Sequence, residues 1–162
     1  MVKINTCHIG DEPMVVEGTE SSEILDFVNV PGAPEMAPVS DIAYHLLASK
    51  TGQDLLVSGT ASFQLASVCS RCLKPVTLTV TADKLCLFYE KVPEQEVDIT
   101  GDLREELLLC LPDYIRCTEN CKGLCPKCGA DLNEGPCACA GEGDETETPS
   151  GSSPWSVLDG LK

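Results

Sequence analysis

Cysteines dominate the C-terminal part of the sequence. Six of the eleven cysteines lie within 23 residues, and they are Cys117, Cys121, Cys125, Cys128, Cys137 and Cys139. At the centre of this segment, Cys125-Pro-Lys-Cys128-Gly129 places two thiols around a tight turn, followed by a glycine that can adopt a positive φ. Such a turn aims both sulfur atoms at one point, and tetrahedral Zn²⁺ with four cysteine ligands suits it best. The segment therefore predicts a metal site but no particular activity.

A further cysteine pair lies near the middle of the chain, in Cys69-Ser-Arg-Cys72. The pair falls between two predicted β-strands, and zinc ribbons present half of a metal site as a CxxC at the tip of a hairpin. A thioredoxin-type redox pair is the alternative, but that pair normally begins a helix after a strand. Pro75 and the alternating residues after it favour the hairpin.

Eight cysteines remain when Cys7, Cys86 and Cys110 are interpreted as core residues, and two four-cysteine sites require eight. They form four pairs, at 69/72, 117/121, 125/128 and 137/139. In one arrangement the first pair shares an ion with the second, and the third pair shares an ion with the fourth. In a one-site alternative, the third pair joins either the second or the fourth, and the first has a different role. The sequence thus predicts one or two Zn²⁺ ions, centred on Cys125 and Cys128.

Iron–sulfur binding is the main rival interpretation of the cluster. Cys121, Cys125 and Cys128 have the CxxxCxxC spacing that holds a cluster in radical enzymes. Those enzymes need a large α/β barrel for a nucleotide cofactor and a substrate. This chain of 162 residues has neither that length nor a repeating βα pattern, so we interpret the match as a coincidence of spacing.

The elements that must position the cysteines are mainly strands. Residues 41–48, 55–68 and 76–89 alternate apolar and polar side chains or are rich in β-forming residues, and a turn at 51–54 joins the first two. The expected fold class is α+β. It consists of a β-rich antiparallel meander with one main helix and a C-terminal, cysteine-rich element that resembles a zinc ribbon.

One helix is predicted from Thr100 to Leu111. Thr100 can act as its N-cap, acidic residues occupy the first turns, and Pro112 ends it. Because its apolar residues recur at helical spacing, they should pack on the sheet. This stripe consists of Leu103, Leu107, Cys110 and Leu111.

Three regions are predicted along the chain. Residues 1–139 form a single β-rich domain that includes the cysteine-rich zinc element at 117–139. Residues 140–153 are acidic and rich in Gly and Ser, which predicts a disordered linker. Residues 154–162 contain the only Trp and form a short amphipathic helix that docks on the domain or binds a partner.

The charge balance is strongly acidic, with 11 basic and 26 acidic residues and a formal charge of −15. A protein whose whole surface bound nucleic acid would show the opposite balance. Five basic residues lie beside cysteine pairs, and they are Arg71, Lys74, Arg116, Lys122 and Lys127. They could form a local patch for RNA phosphates or a partner. The favoured interpretation is compensation of a Zn(Cys)₄ centre, which itself carries a charge of about −2.

The sequence predicts that the protein is not an enzyme. His8 and His45 lie far along the chain from the cysteine cluster, and the sequence contains no P-loop, dinucleotide fingerprint or GxSxG motif. A catalytic zinc needs an open coordination position, whereas all-cysteine sites are mostly closed and structural.

A cytoplasmic location is also expected. The first 25 residues contain five acidic residues and no apolar h-region, and no apolar run approaches the roughly 20 residues of a membrane span. Cysteines arranged in CxxC-like pairs without an export signal favour metal binding over disulfides.

Taken together, these motifs resemble the YceD family, the large ribosomal RNA subunit accumulation proteins, over residues 55–162. Most of the weight lies in Cys117-x₃-Cys121-Lys-Gly-Leu-Cys125-Pro-x-Cys128-Gly-x-Asp-Leu-Asn with Cys137-x-Cys139. The supporting motifs are Cys69-Ser-Arg-Cys72-Leu before a β-rich stretch, Asp98-Ile99 before a Leu-rich helix that ends in Leu111-Pro112, and the ending Ser153-Pro-Trp-Ser-Val-Leu-x-x-Leu161.

The resemblance implies a small, non-enzymatic bacterial or plastid factor for 23S rRNA processing or accumulation. Its partners would be the 23S rRNA precursor or large-subunit ribosomal proteins, with neither a membrane nor a small-molecule substrate. Two alternatives stay open. An acidic adapter would bind a basic ribosomal protein or a nuclease, which the formal charge of −15 favours. A thiol redox sensor would cycle one of the cysteine pairs.

Overall fold

The computed structural model describes residues 1–10, 12–27, 35–92 and 95–141, without the side chains of residues 140 and 141. Its elements in chain order are β1 (Lys3–Asn5), a 3₁₀ turn (Thr6–His8), β2 (Met14–Glu20), a second 3₁₀ turn (Ser22–Leu25), β3 (Ala37–Pro38), β4 (Ile42–Thr51), β5 (Asp54–Val68), β6 (Pro75–Tyr89), β7 (Glu96–Asp98), α1 (Thr100–Leu109) and a third 3₁₀ turn (Ala138–Gly141). The chain divides into an N-terminal unit, Met1–Cys121, and a C-terminal unit that begins at Lys122.

The N-terminal unit is built on an antiparallel sheet of five strands. The long strand β5 pairs with β4 on one side and with β6 on the other, β2 pairs with the far edge of β4, and β3 pairs with the end of β5. The three predicted strands and the turn between the first two are found within three residues of their expected bounds. The predicted α+β class, with its antiparallel meander and one main helix, is confirmed.

One face of this sheet forms the core, because side chains alternate between the two faces of a strand. Inward positions are apolar and buried, as at Leu46 in β4, Val57 and Phe63 in β5, and Leu85 in β6. Leu103 and Leu107 of α1 are also fully buried in this core. The core is largely aliphatic, as the small number of aromatic residues predicts.

A β-bulge near the middle of the β5–β6 pair keeps the buried side chains of both strands on the core face. Gly59 pairs with Leu85 and Ala61 pairs with Ala82, so β6 uses one more residue than β5 over this step. Gly59 has a φ of 153°, and a Cβ atom there would lie 2.2 Å from the backbone oxygen of His45. Only glycine at this position of β5 allows β4 to approach this closely.

Hydrogen bonds connect the first residues of the chain to the start of α1. Strand β1 pairs with β7, and the backbone N–H of Val2 donates to Thr100 Oγ1 at 2.8 Å. At the other side of the helix, the Tyr89 hydroxyl donates to the carboxylate of Asp102. Partial burial and this carboxylate raise the pKa of Tyr89, so its hydroxyl stays protonated and links β6 to α1.

Two details of the predicted helix are wrong. Thr100 is the first helical residue and not the N-cap, because its hydroxyl is bonded to Val2 and to Asp98. The helix ends at Leu109, and Cys110, predicted to lie in the core stripe, is exposed. Leu111, beyond the end of the helix, is half-buried and packs against the core as predicted, so Cys110 is the one member of the stripe that is misplaced.

The other two cysteines that we assigned to the core are also exposed. Cys86 lies on β6 between the buried residues Leu85 and Leu87, so alternation points its side chain to the opposite face. Cys7 lies in the first 3₁₀ turn and is exposed there. Apolar sequence neighbours therefore did not place the Cys86 thiol inside, and isolation from the other cysteines did not place the Cys7 thiol there.

Parts of the predicted domain organisation lie outside the described residues. The structure describes neither the terminal helix at 154–162 nor the linker beyond residue 141. The single domain at 1–139 and the linker stay predictions. Within the described ranges, no helix has both the length and the apolar character that crossing a membrane requires.

Replacement of Gly59 tests the close approach of β4 and β5. Gly59→Ala should lower the free energy of unfolding by about 3 kcal/mol, because the new methyl group would overlap immovable backbone and the residue would keep a strained φ. Gly101→Ala is the matched control. A Cβ at Gly101 in α1 meets nothing within 4 Å, and alanine there should stabilise by about 0.5 kcal/mol. Urea unfolding of both variants measures the difference, and equal stabilities would contradict the constraint.

Candidate metal centre

The N-terminal unit brings four cysteine sulfur atoms together, and we call Cys69, Cys72, Cys117 and Cys121 the first tetrad. All four sulfur atoms lie within 4.8 Å of one another. Cys69 and Cys121 approach to 3.8 Å, and Cys72 and Cys117 approach to 3.6 Å. Cys69, Cys72 and Cys121 are buried, while Cys117 lies at the surface. The two members of each approaching pair come from segments far apart in the chain, so the fold itself assembles this group.

The β5–β6 hairpin presents the first two thiols through a specific turn. The backbone N–H of Leu73 donates to the Cys69 carbonyl at 2.9 Å, and the Cys69 N–H donates to the Lys74 carbonyl at 2.8 Å. Leu73 closes the turn with a φ of 58°, in the left-handed region that glycine usually occupies. The Arg71 N–H then points at the Cys69 sulfur, 3.4 Å away.

Two hydrogen bonds dock the other half of the tetrad on this turn. The backbone N–H of Ser70 donates to the Ile115 carbonyl at 2.8 Å. The guanidinium of Arg71 reaches across and donates to the Cys121 carbonyl, also at 2.8 Å. Residues 115–121 are thereby held against the hairpin tip, and Arg71 has a structural function that the sequence pattern alone did not reveal.

The C-terminal unit contains a second group, and we call Cys125, Cys128, Cys137 and Cys139 the second tetrad. Its four sulfur atoms also lie within 4.8 Å of one another, and those of Cys125 and Cys137 are 3.4 Å apart. Cys125 is buried, Cys128 is exposed, and the other two are half-buried. This tetrad is therefore more open to solvent than the first.

The second tetrad uses the same turn as the first. The Gly129 N–H donates to the Cys125 carbonyl at 2.9 Å, and the Cys125 N–H donates to the Ala130 carbonyl at 2.8 Å. Gly129 has a φ of 72° and occupies the position that Leu73 occupies in the hairpin. The positive φ that the sequence predicted for this glycine is therefore present.

Short polar links stabilise the rest of the C-terminal unit. Leu124 and Asp131 form an isolated antiparallel bridge, and Asp131 Oδ1 accepts from the backbone N–H of Asn133 at 2.8 Å. The Asn133 side chain in turn accepts from the Lys122 N–H at 2.8 Å. These bonds close a compact loop around Cys125 and Cys128. Local hydrogen bonds thus stabilise this unit in place of a large hydrophobic core.

The spacing of both tetrads fits a single tetrahedral metal ion. Four sulfur ligands at about 2.3 Å from one ion would lie about 3.8 Å apart. The closest sulfur pairs, at 3.4–3.8 Å, and the outer limit of 4.8 Å bracket this value. Each tetrad could therefore hold one metal ion.

Backbone groups also favour the thiolate form that a metal requires. The N–H groups of Cys72 and Arg71 lower the pKa of the Cys69 thiol to about 6, against a burial effect that raises it. The N–H groups of Cys128 and Lys127 likewise lower the pKa of the Cys125 thiol to about 6. Each shared turn thus favours the anion of its first cysteine.

The structure brings together all eight cysteines that we predicted as ligands, in the pairing of the two-site arrangement. Cys121 lies in the first tetrad whereas Cys125 and Cys128 lie in the second, so the CxxxCxxC motif does not form one group. Of the five basic residues near the cysteines, Arg71 contacts the first tetrad directly. The predicted partner-binding function of this residue and of Lys74, Arg116, Lys122 and Lys127 stays a prediction.

Exchanging the residue types at the left-handed position of the two turns should change the metal affinities of the two tetrads in opposite directions. Leu73→Gly should tighten metal binding by the first tetrad about threefold, because glycine adopts φ of 58° without strain and Leu73 is exposed. Gly129→Leu should weaken binding by the second tetrad about tenfold, although a Cβ there meets no atom within 4 Å. Competition with a coloured chelator measures both affinities. Unchanged affinity in both variants would show that the turn conformation does not control the sites.

Comparison with known proteins relates this geometry to a family. The family described as large ribosomal RNA subunit accumulation protein YceD matches residues 87–162. An uncharacterized protein of Mycobacterium tuberculosis is 33% identical over 106 residues, which cover 56% of this chain and 51% of the relative. An uncharacterized protein of Mycobacterium leprae is 32% identical over 102 residues, which cover 54% of this chain and 47% of the relative.

The chain therefore spans about half the length of the curated relatives that it matches. No solved structure matches it. The family match contains α1 and six of the eight tetrad cysteines, and it leaves Cys69 and Cys72 outside. Residues 87–162 thus match the YceD family, and the resemblance found in the sequence is confirmed over that range.

Proposed function

We propose that this protein is a non-enzymatic, zinc-binding factor that supports 23S rRNA accumulation and assembly of the large ribosomal subunit. The family match over residues 87–162 supports the link to ribosomal RNA. Such a role would place the protein in the cytoplasm. Its partners would be the 23S rRNA precursor or large-subunit ribosomal proteins.

The proposal depends chiefly on which segments of the chain supply the four cysteines of the first tetrad. Cys117 and Cys121 lie within the family match, but they are completed by Cys69 and Cys72 from a hairpin that precedes it. A metal ion in this tetrad would tie the β5–β6 hairpin to the segment at 117–121. The hairpin and the segment at 117–121, both within the N-terminal unit, would then act as one structural element.

Zinc is the metal that the ligand set favours. Zn²⁺ has no geometric preference from its d electrons, and four cysteine thiolates in tetrahedral array are its common structural site. A four-iron cluster would separate its cysteine sulfur atoms more widely than the 4.8 Å limit of each tetrad. Four thiolates also fill the coordination sphere, which supports structural ions over catalytic ones.

Direct contact with RNA through the basic residues near the cysteines has limited support. Arg71 donates to the Cys121 carbonyl and so serves the first tetrad. A filled tetrad would carry a charge of about −2, which nearby cations compensate. We therefore favour protein partners in the assembling subunit over RNA phosphates as the main contact.

Gene replacement tests the proposed function. Deletion of the gene should lower the ratio of 23S to 16S rRNA and the amount of free large subunits, as measured by sucrose gradients and RNA quantification. A Cys125→Ser/Cys128→Ser variant should fail to restore the ratio, because it removes two ligands of the second tetrad. Cys110→Ser is the matched control, since that exposed cysteine belongs to neither tetrad, and it should restore the ratio fully.

Two results would contradict the proposal. A deletion strain with a normal ratio of 23S to 16S rRNA would remove the link to ribosomal RNA. Full restoration by the double-serine variant, at a cellular protein level equal to that of the wild type, would remove the role of the metal.

A further inference from the structure

The solvent-facing side of the five-stranded sheet carries a band of large apolar side chains. Four of them are exposed, Val15 by 53%, Leu47 by 40%, Leu56 by 39% and Phe88 by 58%. The strand register places them side by side, because Val15 pairs with Leu47 and Leu56 pairs with Phe88. Cys86 lies two residues before Phe88 on the same face of β6. We call these five residues the outer patch.

The outer patch spans four strands without interruption by charge. Leu47 pairs with Ser58, and Ser58 pairs with Cys86, so a small side chain links the two halves of the band. Residues directly opposite on neighbouring strands share a face, and the buried core residues Leu46 and Val57 occupy the other face. The patch is thus distinct from the core.

The rest of the outer face is polar, as expected for an antiparallel sheet with one solvated side. Beyond the patch in one direction, Glu17 pairs with His45, and their side chains are bonded at 3.2 Å. Farther along, Ser62 and Gln64 of β5 and Thr79 of β6 continue this polar surface. Apolar residues are therefore concentrated at one end, and contiguous exposed apolar patches with polar rims mark interaction sites.

The charges around the patch indicate which kind of partner it can accept. Glu17 and Asp54 border it on β2 and β5, and Glu90 directly follows β6. At the bulge in β6, the exposed Asp83 and Lys84 place one acidic and one basic side chain before Cys86. Residues 1–121 contain 8 basic and 19 acidic residues, a formal charge of −11. This field repels RNA phosphates and a second copy of the same surface, and it attracts cationic proteins.

We infer that the outer patch is a docking surface for a cationic protein that presents apolar side chains within a surface rich in Lys and Arg. The source of that protein rests on the proposed function, since proteins that bind ribosomal RNA carry basic surfaces. Phe88, on β6 at one end of the patch, is the main anchor, because an aromatic side chain contributes a large contact area at low entropic cost. The acidic surroundings of the patch speed association and exclude anionic partners.

Binding of defined ribosomal proteins tests the inference. The probe is the set of proteins from purified large ribosomal subunits, freed of RNA, applied to the immobilised full chain at several salt concentrations. The patch variant is Leu56→Thr/Phe88→Thr, which keeps β-forming side chains. The control is Val39→Thr/Leu109→Gln, which removes two exposed apolar side chains outside the patch.

The wild type and the control should retain the same basic protein or proteins. The patch variant should bind them at least tenfold more weakly in a titration with each purified protein, with a thermal midpoint close to that of the wild type. Wild-type affinity should also fall as salt rises, because opposite charges steer the association. Equal affinity of patch variant and control would overturn the inference, as would retention of acidic proteins alone.

Other occupants of the patch give different results, and each would overturn the inference. A wild type that dimerises in sedimentation equilibrium while the patch variant is monomeric would identify a second copy as the occupant. A 23S rRNA fragment that binds the wild type but not the patch variant would identify RNA.

Two combinations of results distinguish failure of the docking surface from failure of the proposed function. A deletion strain with reduced 23S rRNA, together with equal protein binding by patch variant and control, would reject the docking surface alone. A deletion strain with normal 23S rRNA, together with patch-dependent binding of a basic protein, would reject the proposed function alone.

Discussion

The crowding of four cysteine sulfur atoms in each tetrad is the constraint on which the rest of this structure depends. The four sulfur atoms of each tetrad lie within 4.8 Å of one another, and four thiolates at such distances would require a cation between them. The protein prepares both groups with the same turn, in which the first cysteine of a CxxC accepts backbone hydrogen bonds. Leu73 occupies in one turn the left-handed position that Gly129 occupies in the other, so the hairpin tolerates local strain to keep this geometry.

The cysteine tetrads and the sheet make separate contributions to the structure. Hydrogen bonds beside the first tetrad hold the β5–β6 hairpin against residues 115–121, while the aliphatic core holds the sheet and α1 together. The outer face of the same sheet remains available, and its apolar band within an acidic field favours a cationic protein partner. A factor of this kind would act by binding, with metal ions that maintain shape and take no part in chemistry.

Much of this architecture was predictable from local patterns. Alternation identified β4, β5 and β6, and the CxxC spacing indicated the turns at Cys69/Cys72 and Cys125/Cys128 together with the positive φ at Gly129. Other features depend on tertiary context. The close approach at Gly59 and the bond from Arg71 to Cys121 join residues far apart in sequence, and no local pattern encodes them. Cys86 and Cys110 were misplaced in the core because apolar sequence neighbours do not determine which face a side chain takes, as at Cys86 between Leu85 and Leu87. Cys7 was misplaced because an isolated cysteine carries no local pattern that shows its exposure.

Metal analysis of the purified protein is the decisive test of the proposed zinc sites. We expect two zinc ions per chain, bound through sulfur only, and the loss of one ion in either the Cys69→Ser/Cys72→Ser or the Cys125→Ser/Cys128→Ser variant. Elemental analysis gives the count, and X-ray absorption should show metal–sulfur distances of about 2.3 Å. Iron in place of zinc, or an unchanged metal count after removal of Cys69 and Cys72, would contradict the account.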